Sequence, residues 1–109
     1  MVLSKYIQQI IDQNRQVILS DVPFKDILIR LHGVHVLSDV EVERLQRCDN
    51  HESAGFQFLK ILKSRNNTDF IKFCDLLINS QIENVRKLGL ELKNAATEKE
   101  QASGQSNLV

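Results

Sequence analysis

Apolar residues recur along this chain at the spacing of helices. Leu3, Tyr6, Ile7, Ile10 and Ile11 follow the i, i+3, i+4, i+7, i+8 rule and form a stripe on a helix from about Ser4. The stripe resumes at Val17 and Ile18, but Asn14 stands where an apolar residue is due, which predicts a bend near Asp12–Asn14. Ser20-Asp21-Val22-Pro23 ends this helix, because the residue before a proline is disfavoured in the α region and proline suits a first helical turn. Phe24, Ile27, Leu28 and Leu31 mark a second helix, with Gly33 placed as its left-handed C′ residue. A third opens at Ser38. Ser38 and Glu41 have the S-x-x-E spacing of a capping box, and Leu37 and Val42 occupy the staple positions around it.

Cys48-Asp49-Asn50 reads as a loop. A fourth helix runs roughly from Glu52 to Arg65, with Gly55, Phe58, Leu59 and Leu62 on one face. Asn66-Asn67 is a turn and Thr68 a candidate N-cap for a fifth helix, striped by Phe70, Phe73, Cys74 and Leu77. Ser80 and Glu83 repeat the capping-box spacing before a sixth, which carries Ile82, Val85, Leu88, Gly89 and Leu92. The run Val34-His35-Val36-Leu37 has no partner strand. The pattern predicts an all-α, six-helix antiparallel bundle over residues 1–93 with a bent first helix. From Asn94 to Val109 the periodicity stops and Ala, Glu, Gln, Ser and Asn take over, which predicts a frayed helix end and a disordered tail.

Composition narrows the function. With 109 residues, 42% hydrophobic and 26% charged, the chain suits one small globular domain. Fourteen Lys+Arg balance fourteen Asp+Glu, which weighs against a general nucleic-acid binder, since phosphate contacts need a basic excess. No apolar run approaches about 18 residues, the length of a membrane span. The first residues hold Asp12, unlike a signal peptide, and Cys48 and Cys74 cannot make a disulfide framework. A cytoplasmic protein with reduced thiols is expected.

Candidate chemistry is sparse. His32 and His35 are three apart, and Cys48 and His51 form a C-x-x-H pair; zinc would need both pairs to converge tetrahedrally, and Gly33 interrupts the first. Surface or half-buried histidines are the simpler expectation. Cys74 lies on an apolar stripe, where a cysteine acts as a small hydrophobe, and has no histidine near in sequence. The glycines are too scattered for a phosphate loop. No catalytic residue, metal or cofactor is expected.

The charges are unevenly placed. Lys60, Lys63 and Arg65 follow one another without an acid between them, and Arg15 lies on the first helix. Asp39, Glu41 and Glu43 cluster at the start of the third helix, with Asp26 on the second. Acids in a first turn are the ordinary complement of the helix dipole. If the first and fourth helices share one side and the second and third another, the domain is two-faced and can bind copies head to tail.

Several stretches, in order, resemble the caspase-recruitment domain (CARD) of the death-fold superfamily. Asn14-Arg15-x-Val17-Ile18 is similar to that family's N-R-x-x-L in the bent first helix. Gly33-Val34-His35-Val36-Leu37-Ser38-Asp39 resembles its G-V-L-T/S segment, with an extra residue. Phe58 to Arg65 resembles its L-L-D-I-L-x-x-R, Phe70 to Leu77 its F-x-x-F-C-x-x-L, and Gln81 to Leu88 its closing Q-x-x-L-A-x-x-L. The resemblance covers roughly residues 3–92. Arg65-Asn66-Asn67 departs from the family's R-G-P, and Val85-Arg86 from its Leu-Ala. The resemblance implies a Greek-key six-helix fold and a non-enzymatic module for homotypic CARD–CARD contacts in apoptotic or inflammatory caspase signalling. Its partners would be CARD-containing proteins or further copies of itself, with no nucleic acid or membrane. Arg15, Lys60, Lys63 and Arg65 would form its basic side, and Asp26, Asp39, Glu41 and Glu43 its acidic side. Adaptor and CARD-only decoy both stay open, according to whether the chain is a fragment or a whole protein. A small helical nucleic-acid-binding domain is the alternative of another class.

Overall fold

The computed structural model of the chain describes the backbone of residues 3–106 and the side chains of residues 3–98. Its described residues form seven helices and no strand: α1 Lys5–Gln13, α2 Arg15–Asp21, α3 Phe24–Gly33, α4 Asp39–Gln46, α5 His51–Lys63, α6 Asn67–Ile78 and α7 Glu83–Ser106. No helix among them is long and apolar enough to cross a membrane.

The expected bend is a break. Asn14 separates α1 from α2 with φ −109° and ψ 10°, and its side-chain amide donates to the Ile10 carbonyl at 2.8 Å. A short polar side chain that bonds backward to its own backbone competes with the helical ladder. Ile7, Ile10, Ile11 and Ile18 nevertheless all reach the core.

Local signals start the later helices with varying fidelity. At α4 the capping box forms in full: Ser38 Oγ accepts from Glu41 N at 3.2 Å, and Glu41 Oε1 accepts from Ser38 N at 2.9 Å. Asn50 caps α5 by accepting from Ser53 N at 2.7 Å. At α6 the cap is Asn66, accepting from Asp69 N at 2.9 Å, not Thr68. Asparagine is at least as good an N-cap as threonine, and it comes first. Before α7, Ser80 Oγ accepts from Ile82 N at 3.1 Å, and Glu83 pairs with Lys87 at 3.4 Å.

The α3–α4 turn also differs from expectation. Gly33 ends α3 without a positive φ; the left-handed residue is His35, at φ 67°. The helix thus unwinds two residues later than the glycine suggests. Val36 N still bonds to the Leu31 carbonyl at 2.9 Å, and Lys72 Nζ holds the Val34 carbonyl at 3.0 Å from α6.

α7 runs past the point where apolar periodicity stops. It continues to Ser106, Ala96 is buried, and Ala95 packs against the core edge. Alanine is small enough to mark a buried face without an apolar stripe, and it is the best helix former. Of the expected disordered tail, 94–109, residues 107–109 lie outside the described residues.

The core is one cluster. Phe24 of α3, Phe58 of α5 and Phe73 of α6 form an aromatic centre with ring centroids 5.0–6.2 Å apart. α5 packs against α2, α3 and α4, while α7 packs against α6 and α1. Gly55 lets α5 approach Phe24, whose ring would lie 2.4 Å from a Cβ there. Ser4 and Asn67 tie the chain start to α6: Ser4 N donates to Asn67 Oδ1 at 3.0 Å, and Asn67 Nδ2 donates to Ser4 Oγ at 2.8 Å.

Candidate functional site

The packing of α2 on α5 sets the basic side. Arg15 opens α2, while Lys60 and Lys63 lie in the last turn of α5. Together with Phe56 and Leu59 they line a surface cavity of about 200 Å³. Phe56 is 43% exposed, and Lys60 Nζ lies 4.6 Å from its ring centroid. Ammonium over a ring face is attracted by the ring quadrupole. Val17 on α2 is likewise exposed. Of the residues gathered here, phenylalanine and arginine are types enriched at protein interfaces, whereas lysine is depleted there.

Arg65 does not join that group. It bonds through Nη2 to both carboxylate oxygens of Glu41, reaching from the end of α5 to α4. The pair couples one expected basic residue to one expected acidic residue within the chain. Arg65 Nε is buried without a hydrogen-bond partner among the described residues.

The acidic residues form a looser set. Asp39 Oδ1 lies 2.7 Å from His32 Nε2, which places the α3 end beside the α4 start. Glu43 is exposed one turn further along α4. Asp26 lies in the first turn of α3 and lines a different cavity with Ile27, Arg30 and the α6–α7 connection. Ile29 and Val40 add apolar surface here, at 72% and 63% exposed. Asp26, Asp39 and Glu43 therefore stay at the surface of α3 and α4, and Glu41 is taken up by Arg65.

Asp12, which the charge pattern did not single out, belongs to the basic side. Its Oδ1 accepts from Arg15 Nη2 at 2.8 Å and from Lys63 Nζ at 2.6 Å. The Lys63 hydrogen bond is the main reason its carboxyl is held below the ordinary 3.8. Partial loss of hydration opposes that lowering, and the Arg15 bond adds to it. The i, i+3 spacing of Asp12 and Arg15 is a readable signal; the link to Lys63 is not.

The histidines and cysteines are dispersed. His32 lies against Asp39, and His51 Nδ1 accepts from Lys25 N at 3.2 Å. Among the described residues no three His, Cys, Asp or Glu gather as a metal cluster would. Cys74 is fully buried, and that burial pushes its thiol up to about 12. Cys48 is partly exposed beside Arg47, Asp49 and Phe56. No protein-family model, no curated protein and no solved structure matches this chain.

Proposed function

We propose that this chain is a homotypic interaction domain of the caspase-recruitment type, with the six-helix death-fold arrangement, and that nothing in it is catalytic. Counting α1 and α2 as two halves of one bent helix leaves six. The observation that carries the reading is the gathering of Arg15, Lys60 and Lys63 around Phe56 on α2 and α5, while Asp26, Asp39 and Glu43 stand on α3 and α4. A second copy can bring its α3–α4 surface to this basic side, and the same contact repeated head to tail propagates. Opposite charges steer and register such a contact, and the exposed apolar side chains add affinity.

The test is light scattering with negative-stain microscopy on the purified chain, over a concentration series at low and physiological salt. Concentration-dependent assemblies that Arg15→Glu abolishes, with helicity unchanged, are expected. Assembly indifferent to Arg15→Glu would refute the assignment of the basic side. A second reading is favoured by the scatter of the acids: a capping regulator that docks through its basic side alone. It predicts a persistent monomer that binds the acidic side of another domain of the same kind.

A further inference from the structure

The face that would receive a carboxylate already holds one. Asp12 lies in the last turn of α1, three residues before Arg15, and its Oδ1 bridges Arg15 Nη2 and Lys63 Nζ at 2.8 and 2.6 Å. It thereby spans the two elements that carry the basic side. Lys60, the third cation of the cavity, has no carboxylate partner among the described residues and rests over Phe56.

A carboxylate arriving at Arg15 and Lys63 meets the charge of Asp12 within bonding distance of the same nitrogens. Two like charges that close repel, and the Asp12 charge already offsets part of the positive field that Arg15 and Lys63 offer an incoming carboxylate. Asp12 has an exit: its side chain is 48% exposed, and exposed ion pairs are weak enough to exchange with water. We propose that Asp12 is an internal competitor for the carboxylates a second copy presents to Arg15 and Lys63, and that it raises the concentration at which copies associate. The inference rests on the two-faced reading above.

Two one-sided copies test it. Asp26→Lys with Glu43→Lys disables the acidic side and keeps the basic one; Arg15→Glu with Lys60→Glu does the reverse. Their mutual binding is measured by sedimentation velocity, with circular dichroism confirming that each is folded. Asp12→Asn, which removes the charge and keeps the size, is then added to the copy that retains the basic side. Its dissociation constant should fall by roughly three- to tenfold, the release of two exposed ion pairs. The gain should shrink as added salt screens the charges.

Asp21→Asn in the same copy changes net charge equally but has no bond to Arg15 or Lys63, so it should shift the constant by less than about twofold. Unchanged or weaker binding with Asp12→Asn, or an equal gain from Asp21→Asn, overturns the inference and leaves the two-faced reading intact. No binding between the one-sided copies that retain Asp12, at any concentration reached, overturns both.

Discussion

Gly89 of α7 lies so close to Leu77 of α6 that a Cβ on the glycine would stand 2.7 Å from the leucine Cβ. The next atoms in its way are backbone, the Cys74 carbonyl oxygen and the Ile78 nitrogen, both at 2.9 Å. Helical backbone cannot swing aside as a side-chain tip can. Gly89→Ala should therefore lower stability by about 1–3 kcal/mol, overpacking outweighing alanine's better helix propensity. Denaturant unfolding would show a lower midpoint at unchanged slope. An alanine variant as stable as the parent would mean that α6 and α7 can part freely.

The Glu41 carboxylate has two tasks, closing the capping box with Ser38 and receiving Arg65. Ser38→Ala removes only part of the cap and should cost about 1 kcal/mol. Glu41→Ala removes the cap and leaves a half-buried guanidinium unpaired, so the loss should be larger, about 2–3 kcal/mol. In a double-mutant cycle with Arg65→Met the coupling should exceed about 0.5 kcal/mol. Strict additivity would make the Arg65 bond inert.

The two thiols should behave differently. Cys74, buried and raised to about 12, is almost wholly protonated at neutral pH, and only the thiolate reacts. An aromatic disulfide reagent should titrate one thiol, Cys48, in the folded protein and the second only after denaturation. Two thiols reacting at one rate would contradict the burial of Cys74.

Acid should loosen the join between α1 and α5. The folded protein lowers the Asp12 carboxyl below 3.8, so the unfolded chain binds that proton more readily. Its contribution is complete above the ordinary carboxylate range and is lost as pH falls through 3.8 and below. Asp12→Asn should remove part of the acid limb of the stability curve while leaving the curve above neutrality parallel to the parent's. An acid limb of unchanged steepness would show that other carboxylates account for all of it.

Features whose cause lies within a few residues were legible. The break at Asn14, the capping box at Ser38–Glu41 and the buried stripes of α3, α5 and α6 each arise from one segment's own spacing. Where neighbouring residues compete, the pattern misleads. Asn66 takes the cap from Thr68, and His35 takes the left-handed turn from Gly33. α7 outruns its periodicity because Ala96 buries too little surface to register as a stripe. The candidate site was legible only by composition. Arg65 finds Glu41 across 24 positions and Lys63 finds Asp12 across 51, and no local rule encodes such meetings.

The chain's first helix depends on its last. α1 packs against α7, and Ser4 is tied to Asn67 across 63 positions. A growing polypeptide therefore presents Leu3, Ile7, Ile10 and Ile11 to the cell long before their cover exists. The contacts that seat α1 join segments far apart in the chain, the kind whose closure carries the larger loop-entropy cost. A product that stops after α6 would not be a smaller domain. It would be a sticky one, with an apolar stripe that chaperones and degradation machinery are built to find.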